Sequence, residues 1–533
     1  KTNIKGIQNA EVTLNGTASS SAIKWVKEIM NLPSGFKVPY ALSLSDSHLS
    51  WEETGNISFQ GSMKIRDGPD IFLDMHKTLK ELSIKKFIVK DRASNATLSF
   101  ENQDEKVNLA FSGILTRKTV DTLITLPDFP GGSIQGNFQA EIQMEKTVRI
   151  NAQGKLNGEK VVIPWESEGH IKIGKFSLDA SAKGIKMETN SLTWGDNSLS
   201  LIGNLNSNEK GVIFDVDVSA DRLGWNNIKR ILAVNYVENK KSDQIWKQTI
   251  SGIMRLRSKA VTFNHFTVSP LHADISLTGS AVDATITKAD VCTIPVSGKL
   301  NISRNIMETN FKIASHNQTI EPVVTCLGNK DLITGIFDLK GELSARGKPD
   351  TLIQNLDGNI VFNAKDGRIY RYGTIAKIFA LLNVTEVFRG KLPDIAQEGF
   401  AYQSISLKGK VENGNLLIKE AIIDGSSMEI VFEGNIDLVE KKVNLSMLVA
   451  PLKTVDFILR KIPLVRDITG RSLISIPVRV TGDLGNPEVT YHPLSSVGSG
   501  LLGIMERTIK LPVTIIHPLI SNGDKNRQDT DKN

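Results

Sequence analysis

Histidine and acidic residues are the first candidates for chemistry, but their spacing does not fit a reactive or metal-binding site. The eight histidines are scattered without an HExxH pair, and His265 and His272 lie seven residues apart in strand-like sequence. Asp215, Asp217 and Asp221 resemble the start of an acidic metal-binding loop, yet no Gly-x5-Glu follows them. Alternation with apolar residues explains Asp215 and Asp217 as outward-facing positions of a strand. The sequence therefore predicts no metal site.

Two short motifs match known functional patterns but lack the sequence context that those patterns need. Residues 498–503 fit G-x-G-x-x-G, yet Pro493-Leu494-Ser495-Ser496 precedes them in place of a buried strand. Residues 21–24 fit S-x-x-K, yet no Ser-Asp-Asn or Lys-Thr-Gly follows. We therefore predict no catalytic residues and no cofactor, and we interpret the chain as a non-enzyme.

The two cysteines, Cys292 and Cys326, leave two interpretations open. A disulfide between them would place the chain in an oxidising compartment. Two unrelated buried thiols would carry no such implication. Both cysteines lie in strand-like sequence of one region, which is compatible with either interpretation.

The elements that must position these side chains are strands. Apolar residues alternate with polar ones in many segments, as in 107–112, 214–219, 307–313, 337–343 and 443–447, and strict alternation is typical of a strand with one wet face. Asn413-Gly414 and Asp366-Gly367 are hairpin-type turn signals between such segments. The pattern predicts a mostly β, antiparallel chain.

So many amphipathic strands need an unusually long apolar surface to cover them. A compact core stops growing at roughly 250–300 residues, and the chain has 533. Either several sandwich domains or one extended sheet with a continuous apolar face satisfies this constraint. Sandwich cores explain the alternation equally well, but no Pro/Gly/Ser linkers divide the chain where several sandwich domains would need them.

Short amphipathic helices interrupt the strand pattern. They would plug, cap or border an open sheet. Helical spacing of apolar residues predicts them at residues 20–31, 225–234, 374–382, 452–462 and 500–510.

Composition narrows the classes of partner. The net charge of +6 forms no basic block and aromatic residues are 6%, so nucleic-acid binding is not expected. No stretch reaches the roughly 20 uncharged apolar residues of a membrane helix. The chain opens on Lys1, and we expect a targeting signal or membrane anchor upstream of it.

Short segments from Cys326 onward carry a family resemblance. In order they are Cys326-Leu327-Gly328-Asn329, Leu332-Ile333-Thr334-Gly335, Asp366-Gly367-Arg368-Ile369-Tyr370, Ala376-Lys377-Ile378-Phe379, Leu382-Asn383-Val384-Thr385, Glu398-Gly399-Phe400, Val449-Ala450-Pro451-Leu452, Ile462-Pro463-Leu464, Ile476-Pro477-Val478 and Lys510-Leu511-Pro512. This run resembles the C-terminal domain of the AsmA-like family, nearest to its YhdP branch. The resemblance covers roughly residues 290–520.

The resemblance implies an elongated, curved antiparallel β-sheet groove of the repeating-β-groove type. Residues 1–290 would be repeated groove modules, 291–520 the AsmA-like C-terminal domain, and 521–533 a disordered tail. The two cysteines are similar to the family's paired positions, which favours a disulfide. Members are bridge-like lipid-transfer proteins, so the implied function is a non-enzymatic conduit for phospholipids.

The same resemblance implies a location and partners. The chain would lie in the periplasm of a diderm bacterium, anchored in the inner membrane through the missing N-terminal segment and reaching the outer membrane. Its partners would be phospholipid acyl chains and other envelope proteins. An alternative is an envelope structural or assembly protein that binds another polypeptide through its open sheet edge or groove.

The residues expected to line the groove are apolar members of alternating strands. They are Phe214, Val216, Phe337, Leu339, Leu343, Phe362, Leu407, Phe432, Leu445 and Met447.

Overall fold

A computed structural model gives the fold of most of the chain. It describes residues 9–18, 42–52, 54–79, 81–103, 105–123, 131–145, 147–165, 169–226, 250–263, 266–279, 281–303, 306–327, 333–370, 377, 399–426, 428–451, 475–493 and 497–510. The described part contains 27 strands, all assigned to one sheet, and a few short helices. The predicted mostly β, antiparallel fold class is confirmed.

The chain divides into two compact units, Lys1–Ala289 and Asp290–Asn533, and strand β17 (Ala281–Val291) contains the point of division. The strands of the first unit are β1 (Asn9–Ala18), β2 (Leu42–Glu52), β3 (Ile57–Ile65), β4 (Asp70–Lys77), β5 (Leu82–Lys90), β6 (Asn95–Gln103), β7 (Lys106–Thr116), β8 (Ser133–Met144), β9 (Val148–Trp165), β10 (Gly169–Ser181), β11 (Gly184–Trp194), β12 (Asn197–Asn208), β13 (Gly211–Gly224), β14 (Ile250–Ser258), β15 (Val261–Phe263) and β16 (Phe266–Thr278).

The second unit continues with ten strands. They are β18 (Ile294–Ser303), β19 (Ile306–Thr319), β20 (Ile336–Gly347), β21 (Leu356–Ile369), β22 (Phe400–Glu412), β23 (Asn415–Gly425), β24 (Met428–Asp437), β25 (Lys442–Pro451), β26 (Ile476–Asp483) and β27 (Glu488–Tyr491). The described helices are α1 (Arg117–Val120), α2 (Glu321–Cys326) and α3 (Ser499–Lys510), with 3₁₀ turns at Pro349–Thr351 and Ile353–Asn355. Helix α3 confirms the helix predicted at 500–510. The predicted tail and the other predicted helices lie outside the described residues, wholly at 20–31 and 452–462, at 374–382 except for residue 377, and mostly at 225–234.

Consecutive strands pair antiparallel from β1 to β13 and from β18 to β27. The exception is β13, which pairs parallel with β14, Phe214 lying opposite Gly252, and at its end pairs parallel with β15 as well. Alternation reports which face a residue occupies but not which way the strand runs, so the sequence pattern could not reveal this pair. The connection from β13 to β14 spans residues 225–249, long enough for the crossover that parallel strands require.

The two turn signals have different outcomes. Asn413 and Gly414 have φ of +49° and +73° and join β22 to β23, so this predicted hairpin is confirmed. The hairpin predicted at Asp366-Gly367 is wrong, because both residues lie inside β21. Asp366 has φ of +54° there, and the next residue, Gly367, pairs with Tyr402 of β22.

Candidate functional site: the apolar face of the sheet

Paired residues of neighbouring strands share a face of the sheet, so the register assigns every side chain to one of two faces. In the second unit one register row crosses β20 to β27. It runs Leu339, Phe362, Leu407, Ala421, Phe432, Met447, Val478 and Tyr491. We call the face that carries this row the apolar face, and the opposite one the polar face.

The apolar face of the second unit excludes charge. At the paired positions of β18–β27, no Asp, Glu, Lys or Arg lies on it. The neighbouring positions on the polar face include Lys340, Glu342 and Lys408. An uncharged surface can bind an apolar ligand wherever the protein's own side chains do not already cover it.

All eight candidates of the second unit lie on this face. The register places Leu339, Phe362, Leu407, Phe432 and Met447 in one row, with Phe337, Leu343 and Leu445 on the same side of the sheet. The rings of Phe337 and Phe362 lie 5.8 Å apart between centroids.

Burial divides these candidates into two groups. Phe337, Leu445 and Met447 are 3%, 7% and 7% exposed and belong to the largest hydrophobic cluster, so they form protein core. Leu339, Phe362, Leu407 and Phe432 are half-buried at the margin of that cluster, and half-buried Leu343 is not a member. The half-buried side chains are therefore the better candidates for contact with a ligand.

In the first unit a similar row crosses β4 to β16, and we call the face that carries it the apolar face of that unit. The row runs Leu73, Phe87, Leu98, Phe111, Phe138, Gly154, Ala180, Ile185, Leu205, Phe214, Gly252 and Leu277. Val216 occupies the same face as Phe214, two residues along β13; it is buried, whereas Phe214 is half-buried.

One contact shows which way the sheet of the first unit bends. Strands β9 and β12 are separated by β10 and β11, yet the backbone N–H of Ile150 donates to Ser207 Oγ at 2.9 Å. Both residues lie on the apolar face, since Ile150 pairs with Ile142 and Ser207 with Val212. The sheet therefore curls toward its apolar face here, which makes that face concave.

The acidic residues considered as a metal loop are ion-paired on the polar face. Arg255 contacts Asp215 at 2.5 Å and Asp217 at 2.6 Å across the parallel pair of strands. Its guanidinium lowers the pKa of Asp217 through a hydrogen bond. Asp221 contacts Lys259 at 2.7 Å. Among the described residues, no group of three His, Cys, Asp or Glu is arranged to hold a metal ion.

A disulfide joins Cys292, which follows β17, to Cys326 at the end of α2, with their Cα atoms 5.5 Å apart. The preceding Ile320 and the helical Val323 pack into the same hydrophobic cluster as Phe337. The disulfide thus tethers a short helix over one end of the apolar face.

The same end of the sheet contains a buried tyrosine. Tyr402 is 3% exposed, and its hydroxyl donates to the carbonyl oxygen of Thr334 at 2.5 Å. Burial raises the pKa of Tyr402 to about 12, and the negative charges of Glu321 and Asp366 add to the effect. The phenol therefore stays neutral, as a hydrogen bond within a core requires.

Helix α3 lies on the opposite side, against the polar face of β24 and β25. Leu501, Ile504 and Met505 pack there on Val431 and Leu448, and Ala450 completes this cluster. The sequence analysis did not predict that α3 packs on this face. The unbroken apolar runs 430–432 and 447–450 could have indicated it, because such runs are typical of strands buried on both faces.

Three carboxyl groups lie on the strands near α3. Burial raises the pKa of Glu429, which is only 5% exposed, and also that of Asp424 and Glu433. Asp424 and Glu429 are cross-strand partners on the polar face. Packing α3 on this face therefore favours the protonated form of these side chains.

Within the part of the chain that the structure describes, no helix is both long enough and apolar enough to cross a bilayer.

Part of the chain matches a known protein family. Residues 283–489 match the family model described as YhdP protein. The matched range is less than half of the chain; it includes the candidates from Phe337 to Met447 but neither Phe214 nor Val216. No curated protein and no solved structure matches the chain. The match suggests an envelope protein of the AsmA-like lipid-transport family, whose members are generally not enzymes. It confirms the resemblance predicted from the sequence: residues 283–489 are similar to the YhdP branch of the AsmA-like family.

Proposed function

We propose that the chain is a non-enzymatic conduit that carries phospholipids across the periplasm, between the inner and the outer membrane. The observation that carries this proposal is the uncharged apolar face of the second unit, which continues from strand to strand over β18–β27. The family match supports lipid as the cargo.

The energetic demand on such a conduit is large. Moving one methylene group into water costs about 0.8 kcal/mol, so a sixteen-carbon acyl chain costs on the order of 12 kcal/mol. A continuous apolar surface removes most of this barrier. Hydrophobic and dispersion contacts are non-directional, so an acyl chain can slide along the face without a deep well at any one strand.

The remaining features of the proposal follow from the family. The chain is held at the inner membrane, and it works with envelope protein partners at either membrane. The disulfide supports an oxidising compartment, because such bonds persist there.

The test compares charge on the two faces of one strand. Leu343 is half-buried on the apolar face of β20, and Ser344, its chain neighbour, is exposed on the polar face. We would express the full chain in a bacterial periplasm and count bound phospholipids by native mass spectrometry with lipid extraction. Leu343→Lys should lower the number of phospholipids bound per chain, because the charge disfavours an acyl chain at β20, where each ~1.4 kcal/mol of lost affinity is a factor of ten. Ser344→Lys should leave that number unchanged.

The outcomes separate the candidate functions. Equal lipid loads in both variants would show that Leu343 does not contact the lipid, and would contradict the conduit. An empty wild-type chain that co-purifies with a stoichiometric polypeptide would instead favour the assembly protein. Phe214→Lys and Ile213→Lys repeat the comparison in the first unit, because Phe214 and the exposed Ile213 lie on opposite faces of β13.

A further inference from the structure

One glycine of the apolar face lies directly beneath an aromatic ring. Gly158 of β9 pairs with Phe176 of β10. A Cβ atom built on Gly158 would lie 2.0 Å from Cε1, 2.6 Å from Cζ and 2.7 Å from Cδ1 of Phe176. The ring therefore occupies the space that any larger residue at 158 would fill.

The same arrangement recurs on the apolar face of both units. In each case a phenylalanine ring covers a glycine of the neighbouring strand, with a ring atom 2.1–2.7 Å from the position of the missing Cβ. The further pairs are Phe214 over Gly252, Phe311 over Gly298 and Phe400 over Gly425.

We infer that Gly158 sets the depth of the acyl-chain path at β9–β10 by letting the ring of Phe176 lie close against the sheet. The inference rests on the proposed function and names specific positions that shape the path. Carbon atoms in contact stay about 3.5–4.0 Å apart, so a Cβ at 158 must push the ring at least about 1.5 Å away from the strand. On a concave face, that movement carries the ring into the path.

Among these four glycines, Gly158 is the one at which displacement of the ring can be tested by itself. The three atoms nearest to its missing Cβ all belong to the Phe176 ring, and its φ lies outside the left-handed region. At Gly298 a Cβ would also lie 2.2 Å from the carbonyl oxygen of Asn310, so alanine there would distort the backbone. Alanine at 158 acts only by displacing the ring.

Rings over glycines also stabilise a sheet by covering exposed backbone, and a purely structural role is the competing explanation. It predicts that Gly158→Ala changes thermal stability and leaves lipid movement alone. The two explanations therefore differ in lipid transfer between vesicles, provided that stability is measured beside it.

The experiment uses the full chain and two populations of phosphatidylethanolamine–phosphatidylglycerol vesicles, one carrying a fluorescent phospholipid. Gly158→Ala should slow transfer by roughly tenfold. A tenfold change corresponds to a barrier about 1.4 kcal/mol higher, which is within the usual cost of overpacking. Gly158→Ala combined with Phe176→Ala should restore the rate, because no ring remains to be displaced. Gly503→Ala is the matched control, since nothing lies within 4 Å of the missing Cβ of that helical glycine.

Transfer at the wild-type rate by Gly158→Ala, or equally slow transfer by the single and double variants, would overturn the inference and leave the conduit in place. Absence of transfer by the wild-type chain would overturn the conduit and this inference with it. If Gly158→Ala does not fold, Phe176→Ala in the wild-type background serves instead. It should transfer at least as fast as the wild type, and slower transfer would overturn the inference.

Discussion

Neighbouring residues of one strand can differ completely in what they contact. Leu343 and Ser344 are adjacent in β20, yet the first joins the uncharged face and the second faces the polar side between Asn310 and Asp357. The sequence alternation assigns these faces correctly, because side chains of a strand point to opposite sides in turn. Alternation cannot distinguish a core residue from one that a ligand could contact. Phe337 and Leu343 both alternate with polar neighbours, but other side chains cover Phe337 and leave Leu343 half-buried.

This difference predicts two effects of the same substitution. Phe337→Lys should destabilise the second unit by about 3 kcal/mol or more, because it buries an unpaired charge in the main cluster. Leu343→Lys should cost about 1 kcal/mol, because its longer side chain can reach water. Denaturant unfolding of both variants measures the two costs. Equal costs would show that Leu343 is core and not lining.

Glu429 predicts a pH dependence of stability. Its folded pKa is raised above the ordinary value of 4.5 by burial, so the folded chain keeps a proton that the unfolded chain has lost. The contribution of Glu429 to stability should therefore be greatest below pH 4.5 and fall as the pH rises through the folded pKa. Glu429→Gln should flatten this fall and be the more stable chain at neutral pH.

Thermal unfolding from pH 4 to 8 checks the prediction. Asp424 and Glu433 have pKa values shifted in the same direction and will leave a residual slope in the variant. An unchanged profile in Glu429→Gln would mean that this carboxyl is solvated in solution.

At the scale of elements, α3 separates stability from lipid binding. Met505 is fully buried between the helix and the polar face, so Met505→Ala should cost about 2–5 kcal/mol. Because the helix covers the face opposite the proposed path, the lipid load per folded chain should not change. Arg507→Ala, on the exposed side of α3, is the control and should shift stability by less than about 0.5 kcal/mol. A lipid load that falls with Met505→Ala would place α3 in the path.

The disulfide predicts a second effect at this scale. Cys292 and Cys326 are 34 residues apart, and a closed loop of that length stabilises a chain by about 3–4 kcal/mol. Reductant should therefore lower the unfolding midpoint of the second unit. The double variant Cys292→Ala and Cys326→Ala should have the unfolding midpoint of the reduced wild type, and reductant should not change that midpoint. An unmoved midpoint in wild type would show that the bond does not form in solution.

Prediction of the elements succeeded where local chemistry decides the outcome. Asn413-Gly414 forms its turn because both residues tolerate positive φ, and 500–510 is a helix because its apolar residues follow a helical period. Asp366-Gly367 has the same turn signal but lies in a continuous strand, where pairing with β20 and β22 overrides the local preference. The position of α3 depends on contacts with Val431 and Leu448, which are distant in sequence, and no local pattern reports such contacts.

At the scale of the whole chain, the mostly β class and the assignment of residues to faces could be predicted from alternation alone. The parallel pairing of β13 with β14 could not, because it depends on the path of the chain between them. The apolar surface likewise emerges only from register: Leu339, Phe362 and Leu407 become one row through strand pairing, although 68 residues separate the first from the last.

The most direct test of the conduit is a photo-crosslinking scan along β20 in cells. A photoreactive amino acid is placed in turn at residues 339, 340, 342, 343 and 344 of the full chain, and phospholipid adducts are identified by mass spectrometry. The proposed conduit predicts adducts at Leu339 and Leu343 and none at Lys340, Glu342 or Ser344, a period of two that follows the faces of the sheet. Adducts without that period, or polypeptide adducts alone at Leu339 and Leu343, would contradict it.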